Sequence, residues 1–179
     1  MIKKTIYCSS TCRIGLFGGT FNPIHIGHVK MAKAALKQFK LDKIYFIPCG
    51  IPPHKPTKTM LPAKLRYKLV KKAIRKNKHF KVLDIEIKKK KKCYTIDTIK
   101  TFVGNSRDCS LLYFLIGQDE FEALHTWKKS AGLATLVTFL VLPRSLKKIK
   151  PPKIKDLKWL SVHTKLIDIS STAIRNSFN

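Results

Sequence analysis

Two short segments near opposite ends of the chain carry residues suited to holding a phosphate. The first reads Gly15-Leu-Phe-Gly-Gly-Thr-Phe-Asn-Pro-Ile-His-Ile-Gly-His28. An apolar strand pattern ends there in Gly18-Gly19, where missing side chains let backbone amides approach an anion closely. His25 and His28 then open a helical pattern three residues apart, so both face one side of a first turn whose free amides and dipole attract anions. The second segment is Ile169-Ser-Ser-Thr-Ala-Ile-Arg175. Ser170 or Ser171 can cap a helix, Thr172 presents a hydroxyl in its first turn, and Arg175 lies one turn further on, so hydroxyls, amides and a planar guanidinium can grip one phosphate group. Plainer readings exist for both: a tight turn with surface histidines or a metal-binding pair, and a capped helix with a solvated arginine. The glycine pair, Thr20, Pro23 and both histidines occurring together favour phosphate at the first site. Neither segment is a Gly-x-Gly-x-x-Gly turn or a Walker loop.

The elements that must position these segments alternate. Arg13 to Gly19 reads as a strand, and Gly27 to Phe39 as a helix with Val29, Ala32, Leu36 and Phe39 on one face. Lys43 to Pro48 is a second strand, stopped by Pro48 and by Pro52-Pro53. A helix is expected over Pro62 to Asn77, burying Leu65, Leu69 and Ala73, then a strand over Phe80 to Ile87 and a helix from Tyr94 to Val103 ended by Gly104. Leu111 to Gly117 and Leu136 to Leu142 are continuously apolar strands, with a short helix over Glu120 to Leu124 between them; Trp159 to His163 is a weaker strand and Ser171 starts a last helix. Such alternation predicts a Rossmann-like three-layer α/β/α fold with a mostly parallel sheet, 1–179 as one domain with 1–12 as lead-in, and ligands beyond the carboxyl ends of the strands.

Composition narrows the classes without choosing among them. The chain has 179 residues and 37 Lys and Arg against 10 Asp and Glu, a formal charge of +27 that favours polyanions at low salt. Only six of the basic residues are Arg (13, 66, 75, 107, 144, 175), and the Lys are scattered, a general bias rather than a nucleic-acid surface. The run Lys88 to Lys92 reads as a solvated loop. Five cysteines, odd in number and without Cys-x-x-Cys spacing, read as reduced thiols in a cytoplasmic protein. No signal peptide is evident, and the longest apolar stretch, Ala131 to Pro143, is too short to span a bilayer and reads as a buried strand with its approach.

Taken together, the two phosphate segments resemble those of the nucleotidyltransferase superfamily with a His-x-Gly-His motif. Pro52-Pro-His-Lys55, Tyr94-Thr-Ile-Asp-Thr98, Ile116-Gly-Gln-Asp119 and Trp127-Lys128 fall between them in the order found in nicotinate-nucleotide adenylyltransferases, so the resemblance runs from Gly15 to Arg175. Three features depart from that family: Asn22 where Asp is common, Cys93 where Ser usually precedes Tyr-Thr, and an end at Asn179 where relatives usually continue for another helix.

The resemblance implies attack by the 5′-phosphate of nicotinate mononucleotide on the α-phosphorus of ATP, releasing pyrophosphate. That nucleophile is already ionised near pH 7, so alignment and charge neutralisation carry the reaction rather than a general base. On this reading His25, His28 and Arg175 are catalytic, and Mg²⁺ arrives on the ATP phosphates, with no residue assigned to bind metal directly. Gly18, Gly19, Thr20, Phe21, Gly117, Asp119, Arg144, Ser171 and Thr172 are expected on the ATP side, Asp119 at a ribose hydroxyl and Arg144 beside the adenine. Asn22, Lys55, Thr95, Trp127 and Lys128 are expected at the nicotinate nucleotide, with Trp127 stacked on the ring and backbone amides near Thr95 and Lys128 at its carboxylate. The alternatives are adenylyl transfer to nicotinamide mononucleotide or phosphopantetheine, and a basic nucleic-acid-binding protein. No specific nucleic acid or membrane is expected as a partner, and an oligomer is possible.

Overall fold

Every pairing in the central sheet is parallel, in the order β3-β2-β1-β4-β5-β6. The strands are β1 (Arg13–Gly19), β2 (Lys43–Pro48), β3 (Phe80–Val82), β4 (Leu111–Gly117), β5 (Thr138–Leu142) and β6 (Trp159–Ser161). The helices are α1 (Ile26–Gln38), α2 (Ala63–Ile74), α3 (Thr95–Asn105), α4 (Gln118–Glu122), α5 (Ser130–Leu136) and α6 (Ser171–Asn176), with a 3₁₀ turn at Leu124–Thr126. These come from a computed structural model, which describes residues 12–53, 60–89, 91–105, 111–143, 147–164 and 171–176.

Successive strand residues point to opposite faces, so an apolar strand supplies two cores at once. One core takes Leu16, Tyr45, Ile47, Phe114, Ile116, Phe139 and Val141 from the sheet and Ile96, Ile99, Phe102 and Leu133 from α3 and α5. The other takes Phe17, Ile44, Phe46, Leu115, Leu140 and Leu142 from the sheet and Val29, Ala32, Ala35, Val70 and Ile74 from α1 and α2. The result is the three-layer α/β/α arrangement expected from the sequence. Going outward from β1, the chain reaches β2 on one side and β4 on the other, so a crevice opens between the carboxyl ends of β1 and β4. Among the described residues no helix is long and apolar enough to cross a membrane.

Five local expectations change. In α2 the buried face is Arg66, Val70 and Ile74, whereas Leu65 is 41% exposed; both sets repeat every four residues, and apolarity alone selects the wrong one because an arginine sits at a core position. The third strand stops at Val82, after which Asp84–Lys88 closes a turn with the bond Lys88 N–H to Asp84 O at 3.1 Å and an ion pair of 2.9 Å. Gly104 lies within α3, at a place with nothing within 4 Å of an added Cβ, and does not end it. Most of the approach to β5 is the helix α5, since its short apolar run has no turn signal to divide it. Finally, Cys49 and Cys93 are free thiols but Cys12 is disulfide-bonded; pairing depends on proximity in space, which spacing along the chain does not reveal.

Candidate active site

β1 ends against two aromatic rings, and this is why glycines stand there. A Cβ on Gly18 would come 3.0 Å from Phe114 Cζ, and one on Gly19 would come 3.1 Å from the Phe21 ring. Beyond Thr20 the chain turns sharply through Phe21, at φ 45°, and a cis bond between Asn22 and Pro23. The left-handed conformation is costly for an aromatic residue, and burial holds it: Phe21 is 2% exposed and meets Phe17 edge-on at 5.4 Å. His25 is thereby placed at the N-cap of α1. Its backbone N–H donates to Nδ1 of His28 at 3.2 Å, and the two imidazoles lie 3.8 Å apart. An Nδ1 that accepts leaves the proton of the neutral ring on Nε2, so His28 presents an N–H donor on the side away from the backbone.

The C-terminal segment Ser171–Arg175 reaches the same turn from 148 residues away. Ser171 Oγ donates to the Pro23 carbonyl at 3.0 Å. Arg175 Nη1 donates to the Asn22 carbonyl at 2.7 Å, and Nη2 to Thr172 Oγ1 at 3.1 Å. A guanidinium has five N–H donors, so these bonds aim the fork without exhausting it. Thr172 is exposed and Arg175 half-buried.

Alongside lies a cavity at the β1/β4 crevice. Of the residues singled out from the sequence, it gathers Gly18, Gly19, Thr20, Thr95, Gly117, Trp127 and Lys128. Thr95 is there because α3 begins with it, and Gly117 because β4 ends with it and caps α4. Trp127 leans edge-on against Phe114, with centroids 6.3 Å apart, and the Lys128 ammonium sits 4.2 Å from the centre of the Tyr94 ring. Phe21 and Asn22 do not line the cavity: Phe21 packs under His28 at 5.1 Å, and Asn22 Oδ1 accepts the Leu61 N–H at 2.9 Å. Asp119 is exposed in the first turn of α4. Lys55, Arg144 and Ser170 lie outside the described residues.

Residues 16–177 match the cytidylyltransferase-like family model. A probable nicotinate-nucleotide adenylyltransferase of Clostridium novyi is 40% identical over 170 residues, covering 90% of this chain and 84% of that one. Its counterpart in Shouchella clausii is 40% identical over 164 residues, covering 91% and 82%. The chain belongs to the nicotinate-nucleotide adenylyltransferase family. The fold agrees with a solved structure, Plasmodium falciparum nicotinic acid mononucleotide adenylyltransferase complexed with NaAD, at a TM-score of 0.68 and 19% identity, covering 92% of this chain and 83% of that one.

In this member of the family a layer of buried polar groups lies beneath the cavity, and the sequence reading missed it. Glu86, 8% exposed, accepts from Thr98 Oγ1 at 2.8 Å and from the Gly50 N–H at 3.4 Å. Gly50 has no room for a side chain, since a Cβ would fall 2.3 Å from the Glu86 carbonyl oxygen. Glu86, Thr98, Cys49 and Cys93 all border the cavity. Burial, and then the Glu86 carboxylate, push both thiols up from their ordinary pKa, which keeps them protonated and poorly nucleophilic at neutral pH. Arg66, 1% exposed, completes the layer; burial lowers its pKa, opposed by Cys49 and Glu86. One signal was available for it: an arginine among Lys64, Lys68, Lys71 and Lys72 in a chain that otherwise prefers lysine.

Proposed function

We propose that this chain transfers the adenylyl group of ATP to nicotinate mononucleotide, forming deamido-NAD and pyrophosphate for NAD biosynthesis. The observation that carries this reading is the meeting of both phosphate segments at Asn22–Pro23, next to the cavity bordered by Thr95, Trp127 and Lys128. A phosphate oxygen of the acceptor attacks the α-phosphorus in line, the bond to the β-phosphate bridging oxygen breaks, and pyrophosphate leaves with that electron pair. The chain supplies placement and charge rather than a base. His28 Nε2–H, the Arg175 fork and the amides after Gly18 face the triphosphate, while Ser171 and Thr172 hold Arg175 in register. His25 orients His28 through its backbone amide. Trp127 offers a face for the pyridine ring, and amides near Thr95 and Lys128 meet its carboxylate.

The donors around the phosphate loop are N–H groups and cations, which suit phosphate oxygens rather than a bare metal ion. Mg²⁺ would therefore arrive on the phosphates of ATP rather than on a side chain, and would supply charge neutralisation for the leaving pyrophosphate. We read 1–179 as one domain of a cytoplasmic enzyme that takes no specific nucleic acid, its positive charge being a compositional bias.

Pyrophosphate release, measured with ATP, Mg²⁺ and each of nicotinate mononucleotide, its amide and phosphopantetheine, tests the reading. An amide would set its own N–H donors against backbone donors, at about 1–3 kcal/mol for each unpaired group. Two such mismatches give a preference for the nicotinate of about a hundredfold or more in kcat/KM. Equal use of the two pyridine nucleotides would remove the deamido assignment, and silence with all three would remove adenylyl transfer.

A further inference from the structure

We propose that Arg66 is a positioning residue for adenylyl transfer, its buried guanidinium fixing the phosphate loop and the cavity border by holding backbone carbonyls of both. The inference deepens the function proposed above and rests on it. Nη1 donates to the Thr20 carbonyl at 2.5 Å, Nη2 to the Gly50 carbonyl at 3.1 Å and Nε to the Leu61 carbonyl at 3.0 Å. Three segments of chain thus converge on one planar fork, a task that a lysine ammonium on its single point of attachment performs poorly. Burying a charge costs several kcal/mol unless partners compensate it, so a side chain that merely filled the core of α2 would be apolar, like Val70 and Ile74 in the same row.

The consequence for chemistry follows from peptide geometry. In a trans peptide the C=O and the next N–H point in opposite directions. Turning the Thr20 carbonyl inward to Arg66 therefore turns the Phe21 N–H away from it, and removes from the loop a carbonyl dipole that would repel phosphate. The same turn is held from its other side: the Leu61 N–H donates to Asn22 Oδ1 at 2.9 Å, and the Asn22 carbonyl receives Arg175 at 2.7 Å. Arg66 and Arg175 are thus linked through Leu61 and Asn22, and Gly50, next to the cavity residue Cys49, is tied in by the second nitrogen.

The test compares wild type, Arg66→Lys and Arg66→Ala for pyrophosphate release and thermal melting on the same samples. Arg66→Lys keeps the charge that faces Glu86, so it is expected to melt as a folded protein while kcat falls roughly tenfold to a hundredfold, the scale of a misplaced reacting group, with a smaller change in KM. Arg66→Ala is expected to regain turnover with guanidinium at concentrations that leave its melting unchanged, and not with ammonium. An active wild type beside an Arg66→Lys variant of unchanged kcat and KM would overturn this inference alone. Activity lost only in step with the unfolded fraction, with no guanidinium rescue, would overturn it too. A silent wild type overturns the functional reading first, and this inference falls with it.

Discussion

Replacing His28 with asparagine and with glutamine separates two jobs that one imidazole performs. Nδ1 accepts the N–H of His25 at the start of α1, which in the neutral ring leaves the proton on Nε2. Asparagine carries an amide oxygen where Nδ1 was, so it keeps the bond to the helix start and loses the outward donor. Glutamine extends its amide nitrogen to where Nε2 was, so it keeps a donor and loses the bond to His25. A preorganised donor to developing transition-state charge is worth about 10²–10³ in kcat, or roughly 2.7–4 kcal/mol. The bond to a helix-start amide is worth about 0.5–1.5 kcal/mol, and each kcal/mol moves the melting temperature about 2–4 °C in a domain of this size. His28→Asn should therefore melt within a few degrees of wild type and turn over at most about a hundredth as fast. His28→Gln should melt lower than the asparagine variant and retain more activity. Both quantities can be read from one preparation, with pyrophosphate release for turnover and thermal melting for stability. An asparagine variant of wild-type turnover, or one less stable and more active than the glutamine variant, would refute the division of labour.

Arg175→Lys should fall well below wild-type turnover in the same assay, because a lysine keeps the charge but cannot hold Asn22, Thr172 and a phosphate with one fork; unchanged turnover would make Arg175 a solvated helix end. Gly50→Ala forces a Cβ to 2.3 Å from a backbone oxygen that cannot swing aside. We expect a loss of about 3 kcal/mol or more, read as a drop in melting temperature on the order of 6–12 °C, and a normal melt would mean that residues 49–51 shift freely. The raised thiols predict an alkaline limb in stability. A raised folded-state pKa favours the protonated form in the native state, so the contribution is complete below the ordinary thiol value of 9.0 and is lost as pH climbs above it. Melting temperature should decline above about pH 9, and the Cys49→Ala/Cys93→Ala double variant should decline less; identical slopes would place the effect elsewhere.

The sequence alone determined the layer order, because continuous apolar runs such as Leu111 to Gly117 are stable only when covered on both faces, and it singled out the two segments that meet at Asn22–Pro23, because glycine pairs, cap hydroxyls and helix-start histidines are local signals. It also led to the family, through motifs in a preserved order, and Thr95, Trp127 and Lys128 do border the same cavity as Gly18 to Thr20. What it did not determine was every contact whose partner lies far along the chain. Arg66 looks like one more solvated cation until Thr20, Gly50 and Leu61 are brought around it. Nor does the sequence show that the Asn22 side chain receives Leu61 and its carbonyl Arg175. Arg13, likewise, donates to the Phe39 carbonyl, so among the described residues Arg13, Arg66 and Arg175 each donate to a backbone carbonyl distant in sequence or on another element. The periodicity of a helix reports which residues share a face, but not which face meets the sheet when a charged residue is satisfied there; only the packed structure, by bringing three carbonyls to one guanidinium, decides that a charge belongs in the core.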